Sequence, residues 1–137
     1  MAIRIKTSFD QYVKAPAAEA YADLCDWEDH ERWVPLTRVT VHSPEEFTAR
    51  TGVGPLVLVD RMRLLERDDA AMRVTVEKLG PLLTGTAGFR VRPYSDEACV
   101  VSWTENVSVP LMPGFLSKPL SAATRVLFRR ALRRLPR

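Results

Sequence analysis

Apolar and polar side chains alternate from the first residues of the chain: Ile3, Ile5, Phe9 and Val13 interleave with Arg4, Lys6, Ser8, Asp10, Tyr12 and Lys14. Successive side chains of a strand point to opposite faces, so a period of two predicts a β-strand with one buried face. Ala15-Pro16 then stops the ladder, because proline has no amide hydrogen to donate and suits the first turn of a helix. The spacing that follows predicts a helix from Pro16 to Cys25 and a second short helix from Trp27 to Trp33, terminated by Pro35.

From Leu36 onward the pattern is that of a sheet. Val39 and Val41 mark a second strand, Ser43-Pro44-Glu45-Glu46 a turn, and Gly52-Val53-Gly54-Pro55 the entry to a strand from Leu56 to Glu66; residues 47–51 fit either strand or loop. Three more strands are predicted, over 72–78, 84–92 and 99–109, separated by Gly80-Pro81 and by the polar segment from Pro93 to Glu97. Strands joined by such short turns must be antiparallel, since parallel neighbours need crossovers of about a dozen residues or more.

After Pro113-Gly114 the period becomes helical. Leu116, Leu120, Ala123, Leu127, Ala131 and Leu135 share one face, Val126, Phe128 and Leu132 lie at its margins, and Arg125, Arg129, Arg130, Arg133 and Arg134 occupy the other side. Ser117 fits an N-cap, Pro119 the first turn and Pro136 the end. The expected fold class is α+β: a curved antiparallel sheet of six to seven strands, with two short helices after strand one, wrapped around a long C-terminal helix. That arrangement tends to leave a chamber rather than a filled core, which points toward binding a small apolar molecule.

Composition narrows the picture. A chain of 137 residues, 46% hydrophobic and 27% charged, has the size and chemistry of one globular domain over 1–137. The charged start Met-Ala-Ile-Arg-Ile-Lys-Thr lacks the apolar stretch of a secretory signal, and no run approaches the roughly 20 apolar residues of a membrane span, so a cytoplasmic protein is expected. Cys25 and Cys99 have no metal or redox spacing and read as free thiols. No cofactor or metal is expected, since the chain has no phosphate loop, nucleophile elbow, Cys/His cluster or dinucleotide fingerprint.

The net charge of +3 hides a segregation. Residues 106–137 hold seven basic side chains and no acidic one, leaving 13 basic against 17 acidic in the first 105. A basic amphipathic helix can lie on anionic membranes or meet nucleic-acid phosphates. The acidic segment from Asp23 to Glu31 offsets part of it, and its apolar face is needed to close the sheet. Nucleic acid is therefore not expected as a partner, while peripheral membrane contact stays open, as does the oligomeric state.

Four segments, in this order, carry a resemblance: Val13-Lys-Ala-Pro-Ala-Ala-Glu-Ala-Tyr21, Asp26-Trp-Glu-Asp-His-Glu-Arg-Trp-Val-Pro-Leu-Thr37, Gly52-Val-Gly54 and Val101-Ser-Trp-Thr-Glu105. Together with the order of elements, the chain resembles the START-like, helix-grip superfamily, and its bacterial polyketide cyclase/dehydrase branch in particular. Pro55 departs from the small hydroxyl residue that similar proteins often carry after the second glycine, so a bent or shifted strand is expected there. The resemblance implies a pocket for a lipid, sterol, polyketide or other apolar compound, which some members cyclise or dehydrate; kinship of fold does not supply the reaction.

Strand parity nominates the lining. Val101, Trp103, Glu105, Val107 and Val109 share one face, as do Ala87, Phe89 and Val91, then Met72, Val74 and Val76, and finally Leu56, Leu58, Met62 and Leu64. The expected ligand-binding residues are Trp33, Leu58, Met62, Val76, Phe89, Trp103, Leu116, Leu120 and Leu127. Glu105 is the candidate catalytic group: a carboxyl among apolar neighbours loses hydration, its pKa rises, and it can donate a hydrogen bond or move a proton. The bland alternative is an edge salt bridge, or a bulge that reverses the parity. Arg61 and Arg63 are expected to face solvent, His30 to be a surface residue, and Tyr12 and Tyr94 to be structural. Three functions follow: a non-catalytic carrier of a small hydrophobic molecule, a polyketide cyclase, aromatase or dehydratase using Glu105, or a module that binds a membrane or partner through its basic end. An inward Glu105 beside an open cavity favours the second, and a salt bridge at the rim the first.

Overall fold

The computed structural model describes residues 2–27, 30, 34, 36–110, 115 and 117–133, the side chains of residues 2, 56, 117 and 120 excepted. Seven strands form one antiparallel sheet: β1 (Ala2–Val13), β2 (Thr37–Ser43), β3 (Glu46–Val53), β4 (Leu56–Asp68), β5 (Arg73–Leu79), β6 (Thr84–Pro93) and β7 (Cys99–Pro110). Their order is β1-β7-β6-β5-β4-β3-β2, so the first strand pairs with the last and every other neighbour is a hairpin. The helices are α1 (Ala17–Cys25) and α2 (Ser117–Leu132).

The segment that fitted either strand or loop is β3, paired with β2 on one side and β4 on the other. Its link to β4 accounts for Pro55. Val53 pairs with Leu56 across a two-residue loop in which Gly54 has φ +58°. A glycine at positive φ followed by a residue at negative φ fits the primed hairpin turns that match strand twist, and proline supplies the second angle. The strand starts where the turn allows and is not shifted. Met72 falls outside the fourth of the predicted strands: it sits in the turn before β5 with φ +52°.

Three expectations about the helices are corrected. One helix, α1, follows β1 among the described residues; the second was placed over Trp27–Trp33, most of which lies outside them, although the amides of His30 and Val34 bond back to Trp27 and His30 in helical fashion. The terminal helix is 16 residues long and ends at Leu132, short of the expected Leu135, and it packs chiefly along edge strand β1 rather than being enwrapped by the sheet. Its phase also differs. Ala131 and Leu132 are buried, Phe128 and Thr124 half-buried, and Ala123 is exposed. Phe128 stacks on Trp103 with ring centroids 4.7 Å apart, and burying that aromatic pair outweighs seating a small alanine. Arg129 turns inward as a consequence, its guanidinium 5.3 Å from the Phe9 ring centroid, whereas Arg125, Arg130 and Arg133 stay exposed.

The interior divides along the strands. At the end where β1 leads into α1, Phe9, Val13, Ala20, Tyr21, Leu24, Val91, Cys99 and Val101 form a continuous packed core. Cys25 and Cys99 are both free thiols. Toward the opposite end, where β1 begins and β7 finishes, the same faces border a cavity.

Candidate functional site

The cavity has a volume of about 370 Å³ and reaches from Trp103 and Phe89 to Leu58, Leu83 and Val109 near the sheet's far rim. It falls within the roughly 300–1,000 Å³ usual for small-molecule sites, which are mostly apolar with a few convergent polar groups. Aromatic rings line one wall: Phe89 stacks on Trp103 at 6.0 Å and 18°, and Phe128 continues the stack from α2. On another side Trp27 lies almost parallel to Phe47, at 4.6 Å and 10°. These near-parallel rings make flat surfaces suited to a planar or polyene guest.

Of the lining residues expected from parity, Leu58, Met62, Val76, Phe89, Trp103 and Leu127 all border the cavity, and so does Glu105. Trp33 and Leu116 lie outside the described residues, as does the side chain of Leu120. Arg61 and Arg63 are exposed, with Arg63 paired to Glu77. His30, expected at the surface, instead borders the cavity: its Nε2 lies 2.8 Å from the Leu24 carbonyl, and its ring meets Trp27 edge-on.

Strand reasoning passed over the two residues that give the cavity its polarity. Asp60 lies between Leu58 and Met62 on the inward parity of β4, and Lys78 follows Val74 and Val76 on that of β5. The signal was available: a charged residue continuing an apolar face is the mark of an inward charge, the same argument that singled out Glu105. Lys78 is only 7% exposed, and its ammonium is hydrogen-bonded and ion-paired to Asp60 Oδ2, with the Met62 sulfur 3.4 Å away. The other oxygen, Asp60 Oδ1, is buried and accepts no hydrogen bond from a described residue. An unsatisfied buried acceptor costs on the order of 1–3 kcal/mol, so this oxygen is poised to take a donor from a guest.

Glu105 faces the cavity from β7, opposite Ala87 of β6 and Thr7 of β1, and accepts a hydrogen bond from Trp103 Nε1 at 3.4 Å. It forms no salt bridge with a described residue. Burial pushes its carboxyl up; the ammonium of Lys78 pulls it down, the charge of Asp60 pushes it up again, and the Trp103 bond pulls it down, leaving a net rise. For Lys78 burial opposes the charge, but Asp60 and Glu105 together outweigh it and hold the ammonium above its ordinary value. The cluster therefore presents one buried cation, its paired carboxylate and a second carboxyl whose affinity for its proton is raised. Among the described residues no group of three or more His, Cys, Asp or Glu side chains could hold a metal.

A seven-stranded antiparallel sheet curved around an apolar chamber, with a terminal helix along its edge, defines a START-like protein. The chain belongs to the polyketide cyclase / dehydrase and lipid transport family, which matches residues 4–137. No curated protein sequence matches it. Among solved structures it is similar to a START superfamily protein from Mycobacterium smegmatis (TM-score 0.82, 16% identity, 93% of each chain covered). It is also similar to the Zhui aromatase/cyclase of a Streptomyces species (TM-score 0.77, 16% identity, 94% of this chain and 91% of that one). A third likeness is to norcoclaurine synthase from Thalictrum flavum (TM-score 0.66, 12% identity, 96% and 85% covered). At these identities the likeness is one of fold.

Proposed function

We propose that residues 1–137 act as one ligand-binding domain that holds a small hydrophobic molecule, lipid-, polyketide- or aromatic-like, in the chamber between sheet and terminal helix. The observation that carries this reading is the cavity of about 370 Å³ whose apolar walls converge on Asp60, Lys78 and Glu105. Leu58, Met62, Val76, Phe89, Trp103 and Leu127 contribute the apolar contacts; Trp33, Leu116 and the side chain of Leu120, assigned to the site from sequence, lie outside the described residues. A guest oxygen accepts from Lys78 or from protonated Glu105, and a guest hydroxyl donates to Asp60 Oδ1. The test is mass spectrometry of compounds extracted from the purified native protein, followed by calorimetric titration of the identified compound. A Leu58→Trp variant, which fills the chamber, should lose binding; binding unchanged by that filling would end the proposal.

A second reading is that of a cyclase, aromatase or dehydratase, favoured by the inward Glu105, which forms no salt bridge with a described residue. In an aldol-type closure, Glu105 as carboxylate takes a proton from the carbon beside one carbonyl, while Lys78 stabilises the enolate oxygen. The carbanion forms a carbon–carbon bond to a second carbonyl, whose oxygen recovers the proton from Glu105. Loss of that hydroxyl with one proton releases water, so neither step needs an oxidant or a reductant. General acid–base groups contribute roughly 10²–10⁴-fold, and Glu105→Gln should lower turnover of a poly-β-ketone by that amount while retaining binding. Equal turnover by the variant leaves the carrier alone standing.

A further inference from the structure

The rim at this end of the chamber is formed, among the described residues, by the start of β1, the end of β7, the β5–β6 and β3–β4 connections, Leu36 before β2 and Phe115 before α2. Large apolar side chains are exposed from four of these places: Leu36 at 67%, Val53 at 66%, Leu58 at 41%, Leu82 at 44% and Phe115 at 79%. Exposed apolar side chains scattered singly need no explanation, but a ring of them around one opening does.

Cations accompany these side chains. Arg4 and Lys6 of β1 line a shallow groove with Lys118, Ser121, Ala122 and Arg125 of α2, and Arg50 is exposed on β3. Glu77, half-buried on β5, is already paired with Arg63. At the opposite end Asp10, Glu19, Glu45, Glu66, Asp69 and Glu97 are all exposed. Three of these are paired with arginines of the same end, Asp10 with Arg92, Glu66 with Arg73 and Asp69 with Arg67, so charges there are interspersed, whereas the mouth combines cations with exposed apolar side chains.

We propose that this rim is a docking face for an anionic lipid bilayer. Phe115, Leu82, Val53 and Leu36 enter the headgroup layer, Lys6, Lys118, Arg125 and Arg50 meet lipid phosphates, and the chamber opens toward the acyl chains. An apolar surface flanked by cations is the composition of interfacial binding. A nucleic-acid groove would call for cations tracking a phosphate backbone, without exposed aliphatic side chains between them. The surface shares only Arg125 with the arginine face of α2 expected from sequence, because Arg129 is turned inward over Phe9 and Arg130 and Arg133 lie at the far end of the helix. It is also independent of what the chamber holds.

Flotation with vesicles of phosphatidylcholine, with and without phosphatidylglycerol, tests the proposal, with circular dichroism checking that each variant is folded. Wild-type protein should float with the anionic vesicles and not with the neutral ones. A cation near an anionic surface is worth roughly fivefold in partitioning, so Lys118→Gln/Arg125→Gln should reduce flotation more than about tenfold. Phe115→Ser/Leu82→Ser should reduce it comparably with the charge intact, and Arg130→Gln/Arg133→Gln by less than about twofold. Failure of the wild type to float, or flotation unaffected by the first two pairs, overturns the docking face. An equal loss from Arg130→Gln/Arg133→Gln also overturns it, by moving the contact to the helix as a whole. Binding to polyglutamate or RNA without flotation overturns it in favour of a soluble acidic partner.

Discussion

The two ends of this sheet share the same strands and the same inward parity, yet one is solid and the other hollow. At the solid end α1 lies across β6 and β7, and its Ala20, Tyr21 and Leu24 fill the space above Val91 and Val101. Tyr21 is anchored there through its hydroxyl, which donates to Asp69 Oδ1 at 2.6 Å. Burial and that bond together push the phenol well above its ordinary range. At the hollow end the cover from the described part of α2 comes from Thr124, Leu127 and Phe128, which reach the wall without filling the interior. The lesson is that curvature alone does not make a pocket. A pocket is left where the covering helix runs along an edge strand instead of across the sheet.

Substitutions can break or sharpen this contrast. The largest effect is expected from Lys78→Met at the hollow end, because it strands Asp60 as a buried, unpaired charge. A loss of about 4 kcal/mol follows for such a pair, read by urea denaturation, and the joint variant Lys78→Met/Asp60→Leu should recover most of it. If the single variant were as stable as wild type, the pair would have to be hydrated and the chamber floor wet.

Next comes Leu24→Ala in the packed end, where a fully buried leucine leaves a void costing about 3 kcal/mol. The matching Leu58→Ala at the cavity wall removes a side chain that is 41% exposed and should cost less than about 1 kcal/mol. Equal losses at the two sites would erase the distinction between the ends. The solid end also holds Tyr21→Phe, which removes the Asp69 hydrogen bond and should cost about 1 kcal/mol in the same assay.

The subtlest effect is the pH dependence that Glu105 imposes. Its carboxyl is raised in the folded state, so the native protein holds that proton more tightly than the unfolded chain does. The resulting stabilisation is complete below the unfolded carboxyl value of about 4.3 and is lost as pH climbs through the folded value above it. Glu105→Gln should flatten that decline in a stability-versus-pH series. A series of the same slope would mean that Glu105 is solvated much as in the unfolded chain.

Alternation along β1, the turn residues Gly54-Pro55 and Gly80-Pro81, and the helical period after Gly114 were enough to read the element order, because each depends on local chemistry. The inward face of β7, with Trp103 and Glu105 on it, was legible for the same reason: strand parity is a property of successive residues. Asp60 and Lys78 were legible by that rule as well, and were missed because only apolar members of each face were followed.

What no local pattern could supply was the pairing across strands. Asp60 and Lys78 are 18 residues apart and meet Glu105 only because β4, β5, β6 and β7 are consecutive hairpins brought into register. The phase of α2 was likewise decided by tertiary contact: its period allows several neighbouring faces, and the stack of Phe128 on Trp103 selected one. By itself the sequence determined an α+β chain with one apolar face per strand, since backbone geometry turns residue order directly into facing. Where the space between those faces is filled and where it is left open was decided by the folded structure, because filling depends on volumes contributed by residues distant along the chain.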